Sequence, residues 1–275
     1  MTDETSAPTF RTVLCPVDLS THARAALYLA AGLTFSPASR LVVLLIDDRA
    51  AGDDEDARGA RVELGEFVMG ALPGPAGYRA GVELMVRSGP LTKTILGAAA
   101  EVDADLVVIG SHGRSRLGRA LFGSTASALL RETHAPLAIV PPAHPEILSL
   151  GETRAVAHLG VILVPVDLTA PVSRQMAFAA RLSPGSAEAL ALMHVAAPDS
   201  DVEALSTQLQ SLAGTMPAAR GWRVLVKTGA VVEQVLSALH HDTVGLVVLG
   251  QSSDAPGKLA YELIRRAGAV VVMVP

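Results

Sequence analysis

Cysteine is nearly missing from this chain: Cys15 is the only one among 275 residues, so no internal disulfide can form. Its apolar surroundings read as those of a buried, inert thiol. A basic excess is missing too. Net charge is −5 and only 18% of residues are charged, which excludes a general duplex binder that would neutralise many phosphates. The densest basic cluster is Arg114, Arg116 and Arg119, too local for any but a small target. Long hydrophobic runs do not occur: Leu41 to Ile46 and Leu106 to Ile109 fall far short of the roughly 20 residues that span a bilayer. Met1 to Phe10 is acidic and lacks the apolar stretch of a signal peptide. The expectation is a cytoplasmic protein without membrane or nucleic-acid partners.

Half of the residues are apolar, and a chain of 275 residues accommodates two cores of ordinary size. Internal repetition supports that division. Leu14-Cys-Pro-Val-Asp18-Leu-Ser20 returns as Leu163-Val-Pro-Val-Asp167-Leu-Thr169. At one common interval after each aspartate an apolar run ends, at Ile46 and at Val195. Val86-Arg-Ser-Gly89 matches Val226-Lys-Thr-Gly229, and each is followed at equal distance by a glycine closing an apolar run, Gly110 and Gly250. Both copies finish on Val-Pro, at Val140-Pro141 and Val274-Pro275. The proline-bearing segment Pro141 to Gly160 reads as the linker, giving domains of residues 1–145 and 146–275.

Within each copy, short β-branched runs alternate with helical patterns, the signature of βα units and a parallel sheet. The first copy predicts strands near residues 12–17, 41–46, 81–87, 105–109 and 136–140. It predicts a helix from His22 to Leu33 burying Ala23, Ala26, Leu27 and Ala30, and another burying Leu91, Ile95, Ala98 and Val102. The fold class is α/β, with two tandem open five-stranded parallel sheets.

The stretch from Gly110 to Thr125 carries the chemistry. Gly110 ends a buried strand, a loop follows, and Gly123-Ser124-Thr125 opens a helix with Ala126, Leu129, Leu130 and Thr133 on one face. Glycine lets an anion approach backbone N–H groups, Ser124 suits the helix N-cap, and the helix's unpaired amides favour negative charge. The loop lies at the carboxyl end of a parallel strand, where open α/β sheets bind ligands. It is neither a Walker loop nor the dinucleotide fingerprint. Asp18, at another strand end, reads as an N-cap for the helix at His22, as a ligand group, or as both. His112 reads as an exposed loop histidine, since no carboxylate in the motif orients it. The arginines read equally as neutralisers of phosphate or as a solvated face. Asp53-Asp-Glu-Asp56 lacks calcium-loop spacing and reads as a solvated acidic loop, and no histidine pair has zinc-ligand spacing.

The spacing Gly-x2-Gly-x9-Gly-Ser from Gly110 to Ser124 resembles the ATP-binding branch of the universal stress protein family, and the two copies extend that resemblance over nearly the whole chain. The resemblance implies an adenine-nucleotide-binding α/β fold of the adenine nucleotide α-hydrolase-like kind, its copies related by a pseudo-twofold axis. Asp18 and the backbone near Ile46 would hold adenine, and Gly110 would lie by the ribose. Gly113, Gly123, Ser124 and Thr125 would hold the phosphates, while Pro16, Val17, Ile109, His112 and Arg114 complete the pocket. The expected ligand is ATP, ADP or another adenine nucleotide, with Mg2+ as a companion ion. Pairing through the last strands is implied as well, here between the two copies within a chain, with a homodimer of chains as a further expectation.

The second copy departs from the pattern. Counting back from the closing Val-Pro, Gly257 matches Gly123 and Lys258 replaces Ser124; residues 251–256 stand where the first copy has 111–122, and Ser253 replaces Gly113. One nucleotide per chain is expected, in a stress-response signalling module that needs no catalytic residue. The alternative is a slow ATPase or nucleotidyl-transfer enzyme of the same superfamily, with His112 and the arginines acting on the phosphates.

Overall fold

Continuous apolar runs need cover on both faces, and the architecture supplies it. The computed structural model describes residues 10–34, 36–72, 81–111, 124–141, 160–182, 190–216, 222–241, 244–251 and 258–275. The chain divides into two units, Met1–Ala155 and Val156–Pro275.

The first unit runs β1 (Thr12–Val17), α1 (Ala23–Leu33), β2 (Arg40–Ile46), a 3-10 turn (Asp48–Ala51), α2 (Asp54–Ala71) and β3 (Gly81–Arg87). It continues through α3 (Leu91–Glu101), β4 (Leu106–Gly110), α4 (Ser124–Glu132) and β5 (Leu137–Val140). The strands are parallel in the order β3-β2-β1-β4-β5. The chain therefore winds outward from β1 to β3 and then returns to the other side of β1. Helix α1 rests on β1 and β4 and touches α2, whereas α3 rests on β1 and β2 and touches α4. Right-handed crossovers put successive helices on one face until the winding reverses, so the two helix pairs cover opposite faces. Val13, Leu14, Leu41, Val42, Val43 and Val108 are accordingly excluded from solvent.

The second unit repeats the plan with β6 (Val161–Pro165), α5 (Ser173–Leu182), β7 (Leu190–Ala196), α6 (Val202–Gly214) and β8 (Arg223–Thr228). Then come α7 (Val231–His241), β9 (Val244–Gly250), α8 (Lys258–Ala267) and β10 (Val270–Val274), in the parallel order β10-β9-β6-β7-β8. Strand registers make the correspondence residue by residue. Leu14 lies beside Val42 and Val107, and Leu163 lies beside Ala191 and Val247. Gly89 and Gly229, equivalent in sequence, both take left-handed backbone, with φ of 125° and 121°. An L side chain at either would be strained, which accounts for glycine in both copies.

Alternation of pattern located the first unit's strands to within a residue. All four positions expected to be buried on α1 are buried, as are Ala126, Leu129 and Leu130 on α4 and Thr133 just after it. Leu91 differs: as the first residue of α3 it is 48% exposed, while Ile95, Ala98 and Val102 are buried. Pro90 stands just before the helix, in extended conformation. The acidic run is not a loop. Asp53 caps α2 by accepting from the amides of Glu55 and Asp56, and Asp54, Glu55 and Asp56 form the first turn. Acidic groups there complement the unpaired amides and dipole of the helix start. No described helix is long and apolar enough to cross a membrane.

Cys15 sits in β1 with no exposed surface, and burial pushes its thiol far above the ordinary cysteine range. Since thiolate is the reactive form, Cys15 is expected to resist a disulfide-exchange reagent in the native protein and to react stoichiometrically in denaturant. Rapid labelling of the folded chain would contradict the burial.

Candidate functional site

The switch in winding direction lies between β1 and β4, and the carboxyl ends of β1, β2 and β4 stand side by side there. Val17 is paired with Leu45, so the next residues, Asp18 and Ile46, emerge from neighbouring strands. Gly110 ends β4 on the other side of β1. Open α/β sheets present ligand sites at such a point because diverging loops leave a crevice between them. Val17 and Ile109 are buried below this rim, and Pro16, Asp18, Ile46 and Gly110 are half-buried on it. After Gly110, the Ser111 amide donates to the Val140 carbonyl at 2.8 Å, extending β4's pairing with β5 by one residue. Thr125 is half-buried in the first turn of α4. Ser124 is the first described residue of α4 and is helical, so it does not stand outside the helix as a cap would. His112, Gly113, Arg114 and Gly123 lie outside the described residues.

Asp18 does something other than capping α1. Its Oδ1 accepts from the Ser20 amide at 3.0 Å, closing a tight turn after β1. The start of α1 is instead satisfied by Ser20, whose carbonyl and hydroxyl both accept from the Ala23 amide. The cap position itself, His22, makes no side-chain cap bond. Between Asp18 and Ser20, Leu19 has a φ of 61°, a left-handed conformation costing an L residue roughly 1 kcal/mol or more. The turn is held despite that strain. The other carboxylate oxygen of Asp18, Oδ2, is buried and has no hydrogen-bond partner among the described residues. A buried acceptor left unpaired costs about 1–3 kcal/mol, so this atom is poised for a donor.

Sequence reading missed the brace beside Ile46. Arg49 reaches Asp47 through Nε and Nη2, and grips Glu63 of α2 through Nη1 at 2.8 Å and Nη2 at 2.7 Å. These bonds raise the guanidinium's affinity for its proton, the Glu63 bonds most, followed by those from Asp47. Because Asp47 also accepts from the Arg49 amide, the chain leaving β2 is tied to α2. The Asp-x-Arg spacing was visible, but its partner fourteen positions on was not.

The second unit keeps the same turn in a different setting. Asp167 Oδ1 accepts from the Thr169 amide at 2.9 Å and the Thr169 hydroxyl at 2.7 Å, and Asp167 is exposed. Its neighbour His194 points Nδ1 at the Val166 carbonyl, 2.9 Å away. The shortened connection is evident too. Gly250 pairs with Val274 as Gly110 does with Val140, and α8 begins at Lys258 as α4 begins at Ser124. The missing residues therefore all fall between the strand end and the helix.

Fold and rim together describe an open parallel α/β sheet with a crevice at its switch point, and comparison with known proteins places it among similar chains. Residues 9–141 match the Universal stress protein family. Universal stress protein Sll1654 from Synechocystis sp. is 27% identical over 135 residues, covering 48% of this chain and 86% of that protein. A universal stress protein from Archaeoglobus fulgidus has a similar structure, with a TM-score of 0.70 at 18% identity, over 98% of this chain and 99% of that one. A functionally unknown protein from Pseudomonas aeruginosa superposes with a TM-score of 0.59 at 15% identity, over 96% and 92% of the two chains. At such identities the structural likeness speaks to the fold, which it extends across both units. The family match thus falls on residues 9–141, within the first unit, and the structural likeness shows a shared fold.

The Thr169 hydroxyl, and then its amide, hold the Asp167 carboxyl below the usual carboxylate range, assisted by His194 and opposed by partial burial. A carboxyl depressed by folding stabilises the protein above its unfolded pKa of about 4 and loses that contribution as pH falls through the lower folded value. The stability gap between wild type and Asp167→Ala, read by urea titration, should be level near neutrality and close below about pH 4. A gap that widens on acidification would show the bonds are not made.

Proposed function

We propose that the chain is a tandem universal stress protein whose first unit binds ATP, or a close adenine nucleotide, and acts as a nucleotide-dependent signalling module in the cytoplasm. What carries the reading is the unpaired, buried Oδ2 of Asp18 at the carboxyl end of the middle strand, between the ends of β2 and β4. An exocyclic amine of adenine is the kind of donor that such an oxygen lacks. Backbone at Ile46 would read the base edge, and the Arg49 brace would hold that backbone still. Gly110 would lie by the ribose. Gly113, Gly123, Ser124 and Thr125 would hold the phosphates with Mg2+ as companion, because helix-start amides favour negative charge. The group brings its own charge and phosphoryl chemistry, and the chain's residues bind and orient it. The reading assigns no residue a catalytic role: the module works by differing between its loaded and empty states.

Titration calorimetry of the purified chain with ATP should give one equivalent, since the second unit lacks the long glycine loop and begins α8 with Lys258. Two equal sites, or none, would contradict this. Asp18→Ala should weaken binding by about tenfold, the worth of roughly one hydrogen bond donated to a charged acceptor. Replacing Gly123 with glutamate should cost about a hundredfold, roughly 3 kcal/mol, by setting side chain and charge where phosphate sits. Unchanged affinity in the Gly123 variant would mean the phosphates lie elsewhere.

A further inference from the structure

Gln175 is an unusual residue to find sealed in the second unit. It lies on α5, is 5% exposed, and donates from Nε2 to the Pro165 carbonyl at 3.2 Å. Its amide lies against Gly250: a Cβ added to that glycine would collide with Gln175 Oε1 and stand 3.1 Å from Cδ. Gly250 is the last residue of β9, at the carboxyl end of the strand next to β6. A side chain at this position would therefore have to displace the chain's own glutamine.

The registers that align the units make Pro165, Gln175 and Gly250 the counterparts of Pro16, Ala26 and Gly110. Helix α5 rests on β6 and β9 as α1 rests on β1 and β4. At the counterpart position the first unit carries only the methyl of Ala26, wholly buried. A single helix position thus differs by a carboxamide long enough to reach the final glycine of β9. Buried amides cost free energy unless bonded, and the bond to Pro165 fixes this one in place.

We propose that Gln175 is a built-in plug: its carboxamide occupies the nucleoside position of the second unit, and the choice between glutamine and alanine at this helix position decides which unit takes an adenine nucleotide. This deepens the function proposed above and rests on that reading. The loop deletion acts on phosphates, whereas the plug acts on the ribose side, so the two exclude ligand independently. Asp167 and Gly250 persist in the second unit, and removal of the plug exposes a site for a nucleoside carrying a short phosphate tail, with Lys258 at the start of α8 as a point charge for it.

The test moves the plug, with AMP as the probe because it needs little of the missing loop. Calorimetry on the full chain should give one equivalent for wild type, two for Gln175→Ala, none for Ala26→Gln, and one for the double variant. In the double variant an azido-AMP photolabel, mapped by peptide mass, should move from the first unit to the second. Ala26→Ser, which adds only a hydroxyl, should keep wild-type affinity within about threefold and so separate occlusion from damaged packing. Unchanged circular dichroism and an unreactive Cys15 would report an intact fold in each variant. One equivalent in both wild type and Gln175→Ala overturns the plug while leaving the nucleotide reading intact. No binding by wild type overturns that reading and the plug with it.

Discussion

Everything at the rim depends on β1 being hemmed in on all sides. It is paired laterally with β2 and β4 and covered by helices above and below, so its backbone and side chains have no freedom left along their length. What chemistry the strand supports must appear where it ends. The left-handed Leu19 and the turn closed by Asp18 are the first places at which the chain escapes that confinement. A strained residue and an unpaired buried oxygen are both expensive, and they persist only because the packing beneath over-determines the geometry.

The same confinement explains how much could be read from residues alone. Strands covered on both faces appear as unbroken apolar runs, and their limits emerged almost to the residue at Thr12–Val17 and Gly81–Arg87. Amphipathic spacing found α1 and α4 for the same reason. The errors came where local chemistry competes with pattern. Asp53 to Asp56 looked like solvated loop because a helix start and an acidic loop have the same composition; only a pair of amides within reach of the Asp53 carboxylate distinguishes them. Of the readings open for Asp18, the capping role falls to Ser20, since both are small oxygen-bearing residues just before a helix. Long-range partners such as Glu63 for Arg49, or Gln175 for Gly250, leave no mark in sequence spacing, because tertiary folding alone brings them together.

The two units show how a duplicated fold diverges without losing its frame. Sheet order, strand registers and the aspartate turn are common to both, and three of the differences lie at the carboxyl rim. Six residues vanish between β9 and α8, a lysine stands at the helix start, and a glutamine reaches inward from α5. Lys258 is exposed at the start of α8, whereas Gln175 is buried against the ends of β6 and β9.

Cys15 and Trp222 are each unique in the chain, and they fall in different units, both buried. The indole nitrogen of Trp222 is buried and lacks a hydrogen-bond partner among the described residues. Nature has thus given each half its own reporter. Thiol accessibility follows the opening of the first unit and indole emission that of the second, which allows the cooperativity between the halves to be measured on the unmodified protein.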